Sequence, residues 1–97
     1  MAVVEFTPDA VRQFKKLPKL TRAAIREGIQ THFVKAEPGQ TTRNKFRLRR
    51  VAPYADYELR LGAWRVFYRV VPGGAVVTLV GEKRGSALII DGEEIAL

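Results

Sequence analysis

The sequence predicts an α+β fold in the order β-α-α-β-β-β, with a further strand to follow. A twisted, mainly antiparallel sheet would pack on a helical hairpin. Three observations carry this expectation. Gly62-Ala63 and Gly73-Gly74 separate apolar-rich alternating runs and suit two-residue hairpin turns, because glycine supplies the positive φ those turns need. Residues 8–35 repeat apolar positions at three- and four-residue steps, interrupted by Pro18. Asp91-Gly92 lies between two more apolar runs and marks another hairpin.

Taken in order, Val3–Phe6 reads as a short strand. Thr7-Pro8-Asp9 then starts a helix: a capping hydroxyl, a proline at the first helical position and an acid in the first turn. Ala10, Val11, Phe14 and Leu17 form its apolar face, Arg12, Gln13, Lys15 and Lys16 lie off it, and Pro18 ends it. A second helix is expected from Lys19–Thr21 to about Lys35, with Leu20, Ala24, Ile25, Ile29 and Phe33 as its core stripe. Arg22 and Arg26 would stay outside, and Glu37-Pro38-Gly39 would close the helix. Phe46–Arg49 alternates as a half-buried strand does, and Ala52–Ala55, containing Pro53, reads as the next turn. Ala87–Ile90 and a short strand after Asp91-Gly92 complete the order.

A tight turn fixes register, so cross-strand partners can be counted outward from it. From Gly62-Ala63, Leu61 faces Trp64, Arg60 faces Arg65 and Leu59 faces Val66. From Gly73-Gly74, Arg69 faces Thr78, Arg65 faces Glu82 and Trp64 faces Lys83. With Ala52–Ala55 as the loop, Arg49 faces Glu58, Leu48 faces Leu59 and Arg47 faces Arg60. The helices are then expected over Phe46, Leu48, Leu59, Leu61, Trp64, Val66, Tyr68, Val70, Val77 and Leu79. The open face would carry Arg47, Arg49, Glu58, Arg60, Arg65, Arg69, Glu82 and Arg84, with Phe67, Val76 and Val80 among them. Two arginines directly opposite each other repel, so Arg60 and Arg65 either stand in water or hold an anion.

Composition narrows the function. The 97 residues make a single domain over 1–97, and 46% hydrophobic content excludes a disordered tail. Seventeen Lys+Arg against ten Asp+Glu give +7, which points to a polyanion such as nucleic acid, or to an acidic protein. The basic residues crowd into Arg43–Arg50, whereas Asp91–Glu94 is acidic. With no cysteine, disulfides and thiolate metal sites are excluded. Met1–Phe6 does not look like a signal peptide, and no apolar run approaches the ~20 residues of a membrane span, so a cytoplasmic setting without membrane contact is expected. No metal-ligand cluster, P-loop or nucleophile–histidine pair is recognisable, so neither metal nor cofactor is expected.

Several segments together resemble a family: the Phe6-Thr7-Pro8 helix entry, the Lys16-Leu17-Pro18 helix end, the run from Tyr57 to Tyr68, and Gly81-Glu82-Lys83-Arg84. In that order they are similar to the RelE/ParE toxin superfamily over nearly the whole chain. The resemblance implies a toxin of a bacterial type II toxin–antitoxin module, neutralised by an acidic antitoxin whose extended or helical segment wraps it in a hetero-oligomer. RelE-like members cut mRNA in the ribosomal A site, and ParE-like members inhibit DNA gyrase without being nucleases. The first expectation is a RelE-like, metal-independent mRNA endoribonuclease that inhibits translation. The alternatives are a non-catalytic gyrase inhibitor, or a catalytically lapsed member that serves mainly as antitoxin partner.

Metal-free RNA cleavage needs a base for the 2′-OH, positive charge for the phosphorane and an acid for the leaving oxygen. Arg60, Arg65 and Arg84 match positions where RelE-like nucleases carry basic catalytic residues. Arginine holds phosphate in a two-pronged fork but shuttles protons poorly. Glu58 occupies a position that is basic in RelE-like ribonucleases, and Gly85–Leu97 holds no tyrosine. Glu58 is therefore expected either as general base or in a salt bridge with Arg49. Lys45, Arg47, Arg49 and Lys83 are expected to contact nucleic acid, and Tyr54 to stack on a base. Tyr57, Trp64 and Tyr68 are expected in the core, Glu82 beside Arg65, and His32 in a packing or surface role.

Overall fold

A computed structural model describes residues 3–48 and 54–95. The elements are β1 (Val3–Phe6), α1 (Pro8–Lys15), α2 (Lys19–Ile29), a π-helical turn (Gln30–Val34), β2 (Lys45–Arg47), β3 (Tyr57–Leu61), β4 (Trp64–Val71), β5 (Gly74–Arg84), β6 (Ala87–Ile90) and β7 (Glu93–Ile95). The expected α+β architecture is present. Strands β2 to β7 follow in sequence order, each antiparallel to its neighbour. Strand β1 returns parallel to the first half of β5 (Val3 opposite Gly74 to Phe6 opposite Val77), beside the half that pairs with β6. Among the described residues, no helix is long and apolar enough to cross a membrane.

Local chemistry explains the helices. Thr7 caps α1 by accepting the Ala10 N–H at 3.3 Å, with Pro8 just inside. Ala10, Ile25, Ile29 and Phe33 pack on Leu59, Val66, Tyr68, Ala75, Val77 and Val80 to form the main core. The Tyr68 hydroxyl donates to the Pro38 carbonyl at 3.0 Å, which anchors the loop after the helices, and burial pushes its pKa up. The last turn of the second helix widens, with Lys35 N–H bonding the Gln30 carbonyl at 3.0 Å.

Three expected helix assignments are corrected. Ala24, expected in the core stripe, is exposed, and Leu20 is 85% exposed. Five residues before Ile25, it stands about 140° round the helix at 100° per residue and misses the core. Gln13, expected outside, is buried, and its Oε1 accepts the Val80 N–H at 2.8 Å. That N–H lies between the stretches of β5 that pair with β1 and β6, so a glutamine from α1 fills the gap in the ladder.

Two registers are corrected as well. The second hairpin turns at Pro72-Gly73, with Val71 opposite Gly74, and a β-bulge leaves Thr78 unpaired between Tyr68–Val77 and Phe67–Leu79. Beyond the bulge Arg65 faces Gly81 and Trp64 faces Glu82, an odd displacement from the expected pairs. An odd slip exchanges the two faces of a strand. Strand β2 slips by three for a similar reason: its connection to β3 spans 48–56, and Lys45, Phe46 and Arg47 face Leu59, Glu58 and Tyr57. The open face therefore gains apolar cover beyond the expected Phe67, while Val80 moves to the helix side. Ala55, Phe67, Leu88 and Ile90 are buried there, with Leu48, Tyr54 and Leu79 packed against them.

Candidate functional site

The β3–β4 hairpin builds the site. Gly62 at φ 62° makes the turn, and Arg60 faces Arg65 as counted from the sequence. Glu58, two residues before Arg60 on β3, shares their face. Its Oε2 accepts Arg60 Nε at 2.7 Å and lies 3.7 Å from Arg65 Nε, so one carboxylate addresses both guanidinium groups. This is how the sheet tolerates two opposed cations.

The two arginines differ in setting. Arg60 is half-exposed, and its guanidinium lies 4.6 Å from the centre of the Phe46 ring. Arg65 is only 14% exposed in its side chain, and its Nη1 donates to the Gly62 and Trp64 carbonyls at 2.6 and 3.0 Å. Burial, then the neighbouring Arg60, lowers its pKa, while Glu58 acts against that. Arginine stays charged through such a shift. Arg65 is thus a fixed, desolvated cation at the floor, and Arg60 a reachable one at the rim. Such a pair with an intervening carboxylate can exchange the carboxylate for a phosphate oxygen, or keep it as a base beside a bound phosphate.

The other expected site residues scatter. Lys83 lies on the same face, beside the turn, and its backbone N–H donates to the Ala63 carbonyl at 2.7 Å. Tyr54 is half-buried on that face, edge-on to Phe67 at 5.6 Å between centres. Arg84 is moved to the helix-facing side by the bulge, and its Nη2 meets Glu82, not Arg65, at 2.7 Å. Glu82 is therefore Arg84's partner, a correction of the expected Arg65 pairing. Arg47 is also across the sheet, 6.0 Å from the Tyr57 ring centre. Arg49 lies outside the described residues, and Glu58 pairs with Arg60 and Arg65.

Lys45 is a full correction. The β2 slip turns it inward, where it is completely buried and its Nζ donates to the His32 and Glu37 carbonyls at 2.5 and 2.7 Å. It ties β2 to the end of the helical hairpin and is closed to any ligand. Burial lowers its pKa, partly offset by Glu37. His32 beside it is half-buried, and burial together with Lys45 lowers its pKa.

Sequence reasoning missed Phe46 as the platform under Arg60. Period-two alternation is visible in Phe46–Arg49, but alternation alone does not say which parity faces the core.

Comparison with known proteins bears on the family and the fold. The family model for the ParE toxin of the type II toxin–antitoxin system parDE matches residues 4–84. Among solved structures, the chain is similar to a chain of the RelBE2 toxin–antitoxin complex from Mycobacterium tuberculosis. The TM-score is 0.64 at 30% identity, over 86% of this chain and 98% of that one. No curated protein matches.

Proposed function

The chain belongs to the ParE toxin family of type II toxin–antitoxin systems, within the RelE/ParE superfamily, and from that premise we propose that it cuts ribosome-bound mRNA. One observation carries the reading: the Glu58 carboxylate lies between the two arginines suited to a phosphate. Glu58 takes the proton of the 2′-OH, and the 2′-oxygen attacks phosphorus. Arg60 and Arg65 hold the non-bridging oxygens as charge builds on the phosphorane. The bond to the 5′-oxygen breaks, leaving a 2′,3′-cyclic phosphate, and the 5′-oxygen takes a proton from solvent. Phe46 supports Arg60 in the orientation that this step requires. The toxin would act in the cytoplasm and be held inactive in a complex with its antitoxin.

A second reading rests on Arg84. Its place on the helix side, paired with Glu82, leaves two arginines at Glu58 among the described residues and favours a toxin that binds DNA gyrase without chemistry.

A toeprint of a model mRNA on programmed ribosomes, run beside a gyrase supercoiling assay, separates the readings. Cleavage in the A-site codon that disappears in Arg65→Ala supports the nuclease. Intact mRNA with blocked supercoiling moves the chain to the second reading. If neither target responds, the chain serves mainly as an antitoxin partner.

A further inference from the structure

The ladder between β2 and β3 continues past its last strand pair, and Asn44 extends it. Lys45 faces Leu59, so Asn44 comes opposite Arg60, whose N–H donates to the Asn44 carbonyl at 2.7 Å. Alternation puts Asn44 with Phe46, on the face of Glu58, Arg60 and Arg65, away from the inward Lys45. The residue is firmly held. Its N–H donates to Thr42 Oγ1 at 3.2 Å, and its side-chain Nδ2 donates to the Arg60 carbonyl at 3.2 Å. That last bond uses one Nδ2 hydrogen. Asn44 is exposed, and its Oδ1 and remaining Nδ2 hydrogen have no hydrogen bond within the described residues. An acceptor and a donor therefore stand side by side, in one plane, next to the arginine pair. A cap on the ladder needs only the bonded half of this amide.

We propose that Asn44 reads a base of the RNA, adenine, beside the phosphate held by Arg60 and Arg65. The proposal deepens the ribonuclease reading and rests on it. Single-stranded RNA exposes both the Watson–Crick and the Hoogsteen edges of its bases. An amide that accepts through Oδ1 and donates through Nδ2 matches a base donor lying next to a base acceptor. Adenine offers that pair on both edges: its amino group gives to Oδ1, and either neighbouring ring nitrogen takes the Nδ2 hydrogen. Guanine, cytosine and uracil offer it on the Watson–Crick edge alone. Phosphate contacts position a nucleic acid and base contacts specify it. Here the two functions are joined, because Asn44 is bonded through both its carbonyl and its side chain to the backbone of Arg60. A base read by Asn44 thus fixes which phosphate reaches the arginines.

The test uses ribosomes programmed with mRNAs whose A-site codon is AAA, CCC, GGG or UUU, beside anisotropy titrations with the matching trinucleotides. The wild type is expected to favour adenine by about tenfold in both assays. Asn44→Ala should bring the four bases level. Asn44→Asp presents two acceptors, which suit the adjacent ring N–H and amino group of guanine, so GGG should gain on AAA. The ratio between bases is the readout, so a general loss of stability or of charge does not imitate it. A residue that only caps the ladder would lower all four bases together in Asn44→Ala and keep their order, which overturns the proposal. Wild-type cleavage without base preference overturns it as well and leaves the ribonuclease reading standing. Adenine favoured in binding without any cleavage overturns the ribonuclease reading and leaves Asn44 as a base reader. Neither cleavage nor preference overturns both.

Discussion

Arg60 stands directly opposite Arg65 across the β3–β4 hairpin, and the opposition persists because both address Glu58. Like charges placed this way weaken a sheet by some tenths of a kcal/mol. The carboxylate between them offsets that repulsion, and under the proposed function the same pair receives a phosphate.

Glu58→Gln is the sharpest test of that site. It removes the negative charge that competes with phosphate, so a short oligoribonucleotide should bind about three- to tenfold more tightly. Under the ribonuclease proposal cleavage should nonetheless fall about a hundredfold or more, since the proposed base is gone. Fluorescence anisotropy and the ribosomal cleavage assay read the two effects. Weaker binding together with unchanged cleavage would remove Glu58 from the mechanism.

Lys45→Met should destabilise the fold without touching nucleic-acid affinity. The change leaves the His32 and Glu37 carbonyls without their donor, at a cost of about 3 kcal/mol. Urea denaturation measures the loss. An unaltered midpoint with weakened RNA binding would return Lys45 to the surface, where the sequence alone had suggested it.

Stability should fall as the pH drops from 7.5 to 5.5. His32 has a folded pKa below its ordinary 6.5, lowered by burial and by Lys45. Between those two values the unfolded chain binds more protons than the folded one, so stability rises with pH across this window. Asp91, whose carboxylate is held low mainly by Lys16, acts in the same direction but only in stronger acid. His32→Gln should therefore flatten the profile between pH 5.5 and 7.5. A profile equally steep in the variant would assign the dependence to another group.

Gln13→Leu should lower stability by about 1–2 kcal/mol although it adds an apolar residue to a buried position. The Val80 N–H would lose its acceptor at the place where neither β1 nor β6 pairs with β5. Faster amide exchange at Val80 than in wild type would locate the effect. A Val80 amide as protected as in wild type would mean that another acceptor replaces Gln13.

What could be read in the sequence follows the reach of each signal. Gly62-Ala63 leaves two residues between strands, so the β3–β4 register and the opposition of Arg60 and Arg65 were countable. The connection from β2 to β3 is long, and length carries no parity; Lys45 and Phe46 were therefore placed on the wrong faces. Thr78 has nothing in its neighbours to announce a bulge, and the bulge alone decided that Arg84 leaves Arg65 for Glu82.

The sequence by itself determined the order of elements, the Thr7 cap of α1, the tight hairpin and the family, because each depends on residues a few positions apart or on pattern along the chain. Only the tertiary structure decided which cations are answered and which are not. Glu58 serves two arginines, Lys45 is used up inside, and the Arg22 Nε is buried without an acceptor. Charge pairing at contact distance depends on the face each side chain takes. In a sheet, a single unpaired residue is enough to reverse that face.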